Sequence, residues 1–238
     1  MVCIAMDLSI IFILLTGLGL GLGHSLDPDH VVAVSTLVCN NKSLRKSIAS
    51  ATIWGIGHSV VLLVIGLLLL TLNVVIPQAI LKLFDCAAGV LLIILGVFVV
   101  KSLIAKKISF PKTSNYGHSH SHSHSHPHSP THEHVHENEH SHTHLHKSAI
   151  TGAVQGLGGS AALMVLTVST VNSVMIGTAF IILFGVGLIL GMVGIACLVG
   201  SVIAYTASNL EKVHKLIKAL TGSASIVFGI VIIVYALV

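Results

Sequence analysis

Six apolar stretches, each longer than the roughly 20 residues a helix needs to cross a hydrocarbon core, leave this chain of 238 residues few folds to choose from. They run Leu8–Val38, Leu44–Thr71, Pro77–Ile104, Ala149–Val171, Val174–Tyr205 and Lys212–Leu237. A backbone in lipid must satisfy its own hydrogen bonds, so these runs predict an all-α integral membrane protein of six transmembrane helices. Only 8% of the residues are charged, against roughly 25% in soluble domains. The 12 Lys and Arg sit at segment ends, where the membrane interface accounts for them without a nucleic-acid partner. Cys3, Cys39, Cys86 and Cys197 are scattered and form neither a C-x-x-C pair nor a disulfide framework. The first apolar run lacks a basic start and is longer than a signal peptide, so it is expected to be a span.

Within that first run, His24, Asp27, Asp29 and His30 place four ionisable side chains in seven residues. At membrane depth each costs at least about 2.5 to 3.5 kcal/mol, which makes the cluster a functional-site candidate. Imidazole and carboxylate together suit nickel, cobalt or zinc better than calcium or magnesium. On a helix His24 and Asp27 would stand at i,i+3, as would Asp27 and His30, while Asp29 would point elsewhere. Pro28 has no N–H to give the His24 carbonyl, so the helix is expected to break there and turn that carbonyl toward an ion path. Transporters hold ions at such broken helices.

The loops carry the topology. Lys42, Arg45 and Lys46 follow the first segment, Lys101, Lys106, Lys107, Lys112 and Lys147 flank the third loop, and Lys212, Lys215 and Lys218 follow the fifth segment. The positive-inside rule makes these sides cytoplasmic and both termini extracytoplasmic, in the cell membrane. Residues 106–148 form a linker between 1–105 and 149–238, and its histidines His118, His120, His122, His124, His126, His128, His132, His134, His136, His140, His142, His144 and His146 are thirteen of the chain's 17. With almost no apolar side chains to offset the entropy of ordering, this tract is expected to be disordered. Its composition fits a metal buffer, the alternative being a solvated linker.

The two flanking blocks repeat each other. Gly21-Leu22-Gly23-His24-Ser25 matches Gly156-Leu157-Gly158-Gly159-Ser160, Val34-Ser35-Thr36 matches Val168-Ser169-Thr170, Gly57-His58 lies over Gly191-Met192 and Gly66 over Gly200, and Gly89 and Gly96 align with Gly222 and Gly229. All offsets fall between 133 and 135. Three spans per copy invert the second, which predicts two inverted three-helix repeats around a midplane site. The second copy lacks the ionisable cluster, leaving Gln155, Asn172 and Met192 as weaker candidate ligands, with plain packing the other reading of Met192. Asp85 either pairs with Lys82 at i,i+3 or lines an outer vestibule.

His58, in Trp54-Gly55-Ile56-Gly57-His58-Ser59, is either a core histidine or a metal residue. At 1.5 Å per residue it lies about 21 Å from Leu44, the depth His24 has from Val38. One level for both favours the metal, and Ser59 beside it is a further candidate. Gly55 and Gly57 would let the first two segments approach closely.

These residues, with His24-Ser25-Leu26-Asp27-Pro28-Asp29-His30-Val31 and Ala33-Val34-Ser35-Thr36, resemble the nickel/cobalt transporter superfamily and within it the UreH-type nickel permeases. The H-x4-D-H element falls on His24, Asp29 and His30, and the G-H-S element on Gly57-His58-Ser59. The resemblance implies transport of Ni2+ or Co2+, with Zn2+ a third candidate, and makes His24, Asp29, His30 and His58 the selecting residues. Asp27 is then a carboxylate that orients an imidazole, or a ligand itself. Import is the direction expected, while six spans and a histidine-rich loop are features of the RcnA-like efflux branch. The metal would be cargo and not a permanent cofactor.

Other classes fit less well. His24–His30 does not fit the H-E-x-x-H spacing and no glutamate lies in a span, which argues against an intramembrane zinc hydrolase, and no enzyme activity is expected. A nucleotide-driven pump is disfavoured by the absence of G-x-x-x-x-G-K-[ST]. A non-transporting membrane metal carrier would use the same ligands.

Overall fold

A computed structural model describes residues 2–39, 41, 43–72, 76–108, 139–158 and 173–238. Its helices are α1 (Val2–His24), α2 (Pro28–Val38), α3 (Leu44–Leu72), α4 (Gln78–Ile108), α5 (Glu139–Leu157), α6 (Val174–Asn209) and α7 (Glu211–Leu237). The tract from His118 to His136 lies wholly outside the described residues, as do Gly159, Ser160, Val168, Ser169, Thr170 and Asn172.

Among the described residues, four helical stretches are long and apolar enough to cross a bilayer: Leu44–Leu72, Gln78–Ile104, Val174–Ala207 and Glu211–Leu237. Ile10–His24 and Pro28–Val38 make a fifth if the bent pair is one broken span. Along α3 the exposed side chains include Ile56, Val60, Val64 and Leu68, one helical turn apart, and α6 exposes Ile182, Val186 and Leu190 in the same rhythm. Those stripes suit lipid, since apolar side chains lose nothing by facing hydrocarbon. The chain is a multi-pass membrane protein.

The break at Pro28 is present, with the two halves bent by 60°. Its consequence differs from the expectation. The His24 carbonyl is not left open, because the Asp27 N–H donates to it at 3.1 Å, and the Leu26 N–H donates to the Gly23 carbonyl at 3.0 Å. The end of α1 tightens into i→i+3 bonds that use up its last carbonyls, a common way for a helix to close. Pro28 then opens α2 at its first position, where a missing N–H costs nothing.

A second difference concerns where the fourth helix starts. It was expected at Ala149 and begins at Glu139, so His140, His142, His144 and His146 belong to a helix and not to a disordered linker. Nothing between Pro130 and Gly152 breaks a helix, and once α5 is nucleated, extending it by a residue costs little.

The most extensive helix contacts are those of α4 with α7, α3 with α6, α3 with α5 and α1 with α6. Glycines set the spacing. Gly21 lies against the Phe184 backbone and Gly187 against the Leu18 backbone, while Gly152 meets the Trp54 carbonyl and Gly57 the Ala149 carbonyl. A methyl group on Gly89 would come within 2.7 Å of the Gly229 carbonyl oxygen, and Gly96 meets Gly222 in the same manner. Ser225 adds a hydrogen bond from its hydroxyl to the Leu92 carbonyl at 2.7 Å. Close backbone approach of this kind is how helices associate in lipid, where burial of apolar surface drives nothing.

Candidate metal centre

Three imidazoles from three helical elements meet inside this bundle: His24 ends α1, His30 lies in the first turn of α2 and His58 is midway along α3. Their ring centroids are 4.5 Å apart for His24 and His30, 5.0 Å for His30 and His58, and 5.7 Å for His24 and His58. One ring nitrogen from each lies within 4.8 Å of the others. All three are buried, His58 completely. The bend makes this possible, since a straight helix would carry His30 nearly two turns, about 9 Å, beyond His24.

The two carboxylates stand beside the rings. Asp27 Oδ2 accepts from His24 Nδ1 at 2.7 Å. Asp27 is the N-cap of α2, yet its side chain makes no capping bond to that helix. It forgoes a contact worth roughly 1 kcal/mol and holds an imidazole instead. Asp29 Oδ2 lies 2.9 Å from His30 Nδ1, an electrostatic contact without hydrogen-bond alignment. Both side chains are more open than the rings, Asp27 at 46% and Asp29 at 29% exposure. With Nδ1 of His24 engaged by a carboxylate, its Nε2 carries the lone pair, the arrangement seen in carboxylate–histidine–metal sites.

Apart from His30 Nδ1, which has only the Asp29 contact, four ring nitrogens have no partner among the described residues: His24 Nε2, His30 Nε2 and both nitrogens of His58. Buried polar atoms are nearly always satisfied, so an orphaned set converging on one point calls for an explanation. A metal held at about 2.0–2.1 Å by each nitrogen would satisfy three of them at once.

Of the other candidates, Ser59 donates to the Gly185 carbonyl at 3.3 Å and Met192 is fully buried in the apolar core with Val34, Trp54 and Leu188. Asp85 brings its carboxylate near Gly158, where a methyl group would stand 3.4 Å from Oδ1. His146 is exposed.

The sequence reading passed over Trp54 as a member of the site. Its ring centroid is 5.2 Å from that of His30 and 5.1 Å from that of His58, and its Nε1–H donates to Gln155 Oε1 at 2.9 Å. One signal pointed to it, the i,i+4 spacing from His58 that puts both on one helix face. Its bond to Gln155 across 101 positions had none. Phe184 of α6 closes another side, 5.5 Å from His24.

Asp27→Asn is expected to leave the helices assembled and weaken metal binding by about 10- to 100-fold, the usual cost of losing a carboxylate that orients a ligand. Titration of the purified variant with Ni2+ checks it, and unchanged affinity would remove Asp27 from the site.

Neither a family model nor a solved structure matches the chain. Among curated proteins it is 34% identical over 224 residues to the urease accessory protein UreH of Bacillus sp. (strain TB-90), covering 94% of this chain and 91% of that protein. It is 28% and 26% identical to the Arabidopsis thaliana chloroplast proteins FOR GROWTH AND FERTILITY 1 and 2, over 89% and 92% of this chain but only 55% of either relative. The first likeness runs through almost the whole length of both proteins, and with it the chain belongs to the UreH-like nickel permease family.

Proposed function

We propose that this protein carries Ni2+, and Co2+ by the same route, inward across the cell membrane through the His24–His30–His58 centre. The observation that carries the reading is the convergence of three buried imidazoles, each with a ring nitrogen that has no partner among the described residues. Nitrogen donors with no thiolate suit nickel and cobalt, and zinc after them. Membership of the UreH-like family supports nickel over the others. Asp29 and Asp27 act on opposite rings, supplying the negative charge that a divalent ion would otherwise lack at membrane depth.

Two inverted three-helix repeats are part of the proposal. The reciprocal contacts of Gly89 with Gly229 and Gly96 with Gly222 support it, because exchanging each residue for its counterpart 133 positions away converts one contact into the other. The pairing of α1 with α6 and α3 with α5 follows the same exchange, first for fourth segment and fifth for second. Such repeats permit rocking about a fixed site, which exposes it to each side in turn. Both termini are then extracytoplasmic and the loop between α4 and α5 is cytoplasmic, by the charge of the loops. An inside-negative potential aids import by about 2.3 kcal/mol per charge per 100 mV, twice over for a divalent ion.

Cells expressing the protein should accumulate more nickel than controls, and less accumulation would mean efflux. Replacing residues 109–138 by a Gly/Ser linker is expected to preserve ion selectivity and to lower uptake mainly at scarce metal, since many imidazoles in series would concentrate ions without choosing strongly among them. Complete loss of uptake by a correctly inserted variant would make that loop part of the path.

A further inference from the structure

Gln155, in the second half of the chain, is a polar side chain bonded to the wall of the metal centre through Trp54. It is buried to 2% exposure, on the stretch of α5 where Gly152 and Gly156 press against the backbone of Trp54 and His58. Its Oε1 takes the indole N–H of Trp54. Indole nitrogen only donates, so the amide cannot be turned round, and its oxygen must face Trp54. The amide nitrogen is thereby fixed on the other side with two N–H groups, and it has no acceptor among the described residues. A buried amide donor with nothing to bond is rare enough to ask for a missing acceptor. Trp54, which the amide oxygen holds, packs on the rings of His30 and His58, which makes the occupant of that centre the candidate acceptor.

Three imidazoles leave an octahedral ion with three further positions, which water would fill. Ni2+ and Co2+ favour such six-coordination, whereas Zn2+ is content with four ligands. We propose that Gln155 is a specificity-determining residue whose amide N–H groups donate to water carried on the ion at His24, His30 and His58, favouring ions that keep their water over those that shed it. This deepens the function proposed above and rests on it. It gives the second repeat, which has no ionisable group at this level, its share of the site, and it makes Trp54 the spacer that fixes where the amide can reach.

The chain's single tryptophan is the probe. Open-shell Ni2+ and Co2+ quench a nearby indole, and Zn2+ does not, so Zn2+ affinity is read from the fluorescence it restores on displacing Ni2+. With purified full-length protein in lipid nanodiscs, Ni2+ should quench Trp54 in the wild type and fail to do so in His30→Ala. Gln155→Leu and Gln155→Glu should both still be quenched by Ni2+, with the preference for Ni2+ over Zn2+ reduced about 10-fold or more, the size of effect usual for groups that act through a metal's own ligands. Glu keeps the oxygen that Trp54 needs, so it reports on the lost N–H even where Leu disturbs folding. The visible absorption of bound Co2+ should also change, from the weak bands of six-coordination in the wild type to stronger bands in both variants. A wild-type Ni2+ to Zn2+ ratio and an unchanged Co2+ spectrum in Gln155→Glu would overturn the proposal and leave Gln155 as a support for Trp54. Quenching that survives in His30→Ala would instead overturn the metal centre itself.

Discussion

Alanine at His24, His30 or His58 is expected to reduce nickel flux to background in each case, with the protein still inserted. The three rings converge from three helical elements on one point, and removing any one leaves two nitrogens to replace the water shell of a divalent ion. Partners that only orient a ligand already cost about 10- to 100-fold in affinity, so loss of a ligand should exceed that range. The three variants should also resemble one another, because a site with one ligand missing fails whichever ligand it is. Asp29→Asn should fall with Asp27→Asn, at a smaller loss, since both carboxylates stand beside ring nitrogens. Metal titration of the five purified variants checks the order. Near-normal nickel binding by any of the three alanine variants would mean that the rings' convergence is structural.

Gly152→Val should abolish transport by a different route. The glycine faces the Trp54 carbonyl so closely that any side chain there forces α5 off α3, and backbone cannot give way as a flexible side chain can. Overpacking in a well-filled interior costs about 1–3 kcal/mol and occasionally more. Here the displaced backbone carries both Trp54 and, one turn on, His58, so stability and metal binding should fail together. Gly194→Ala makes the control, because a methyl group there meets nothing within 4 Å. It should leave both properties as they were. Thermal unfolding of the two variants in detergent, followed by nickel titration, separates them, and a Gly152→Val protein of normal stability would show that the α3–α5 contact is looser than described.

What the sequence made legible is the chemistry of single positions. Ionisable residues in an apolar run pointed to His24 and His30, and equal depth along two helices pointed to His58, 5.7 Å from His24 in the fold. The break at Pro28 could be read because one residue causes it. How the backbone closes around the break could not. Whether the His24 carbonyl stays open or accepts from Asp27 depends on the torsion of three turn residues, which no spacing encodes. Asp27 and Asp29 were assigned different tasks from spacing and resemblance, whereas in the fold each carboxylate stands beside a ring nitrogen. The bond between Trp54 and Gln155 joins residues far apart in the chain, and only the packing of α5 on α3 brings it about. The start of α5 was missed because a tract with almost no apolar side chains has little to offset the entropy of ordering, though neither histidine nor serine stops a helix that an adjoining apolar stretch already holds.

The measurement that bears most directly on the account is nickel uptake into sealed liposomes containing this chain alone, with an inside-negative potential imposed. The account predicts that wild-type protein loads Ni2+ into the lumen faster than protein-free vesicles, and that His58→Ala, reconstituted in equal amount, does not. Wild-type vesicles that bind nickel without moving it inside, or His58→Ala vesicles that load as fast as wild type, would contradict it.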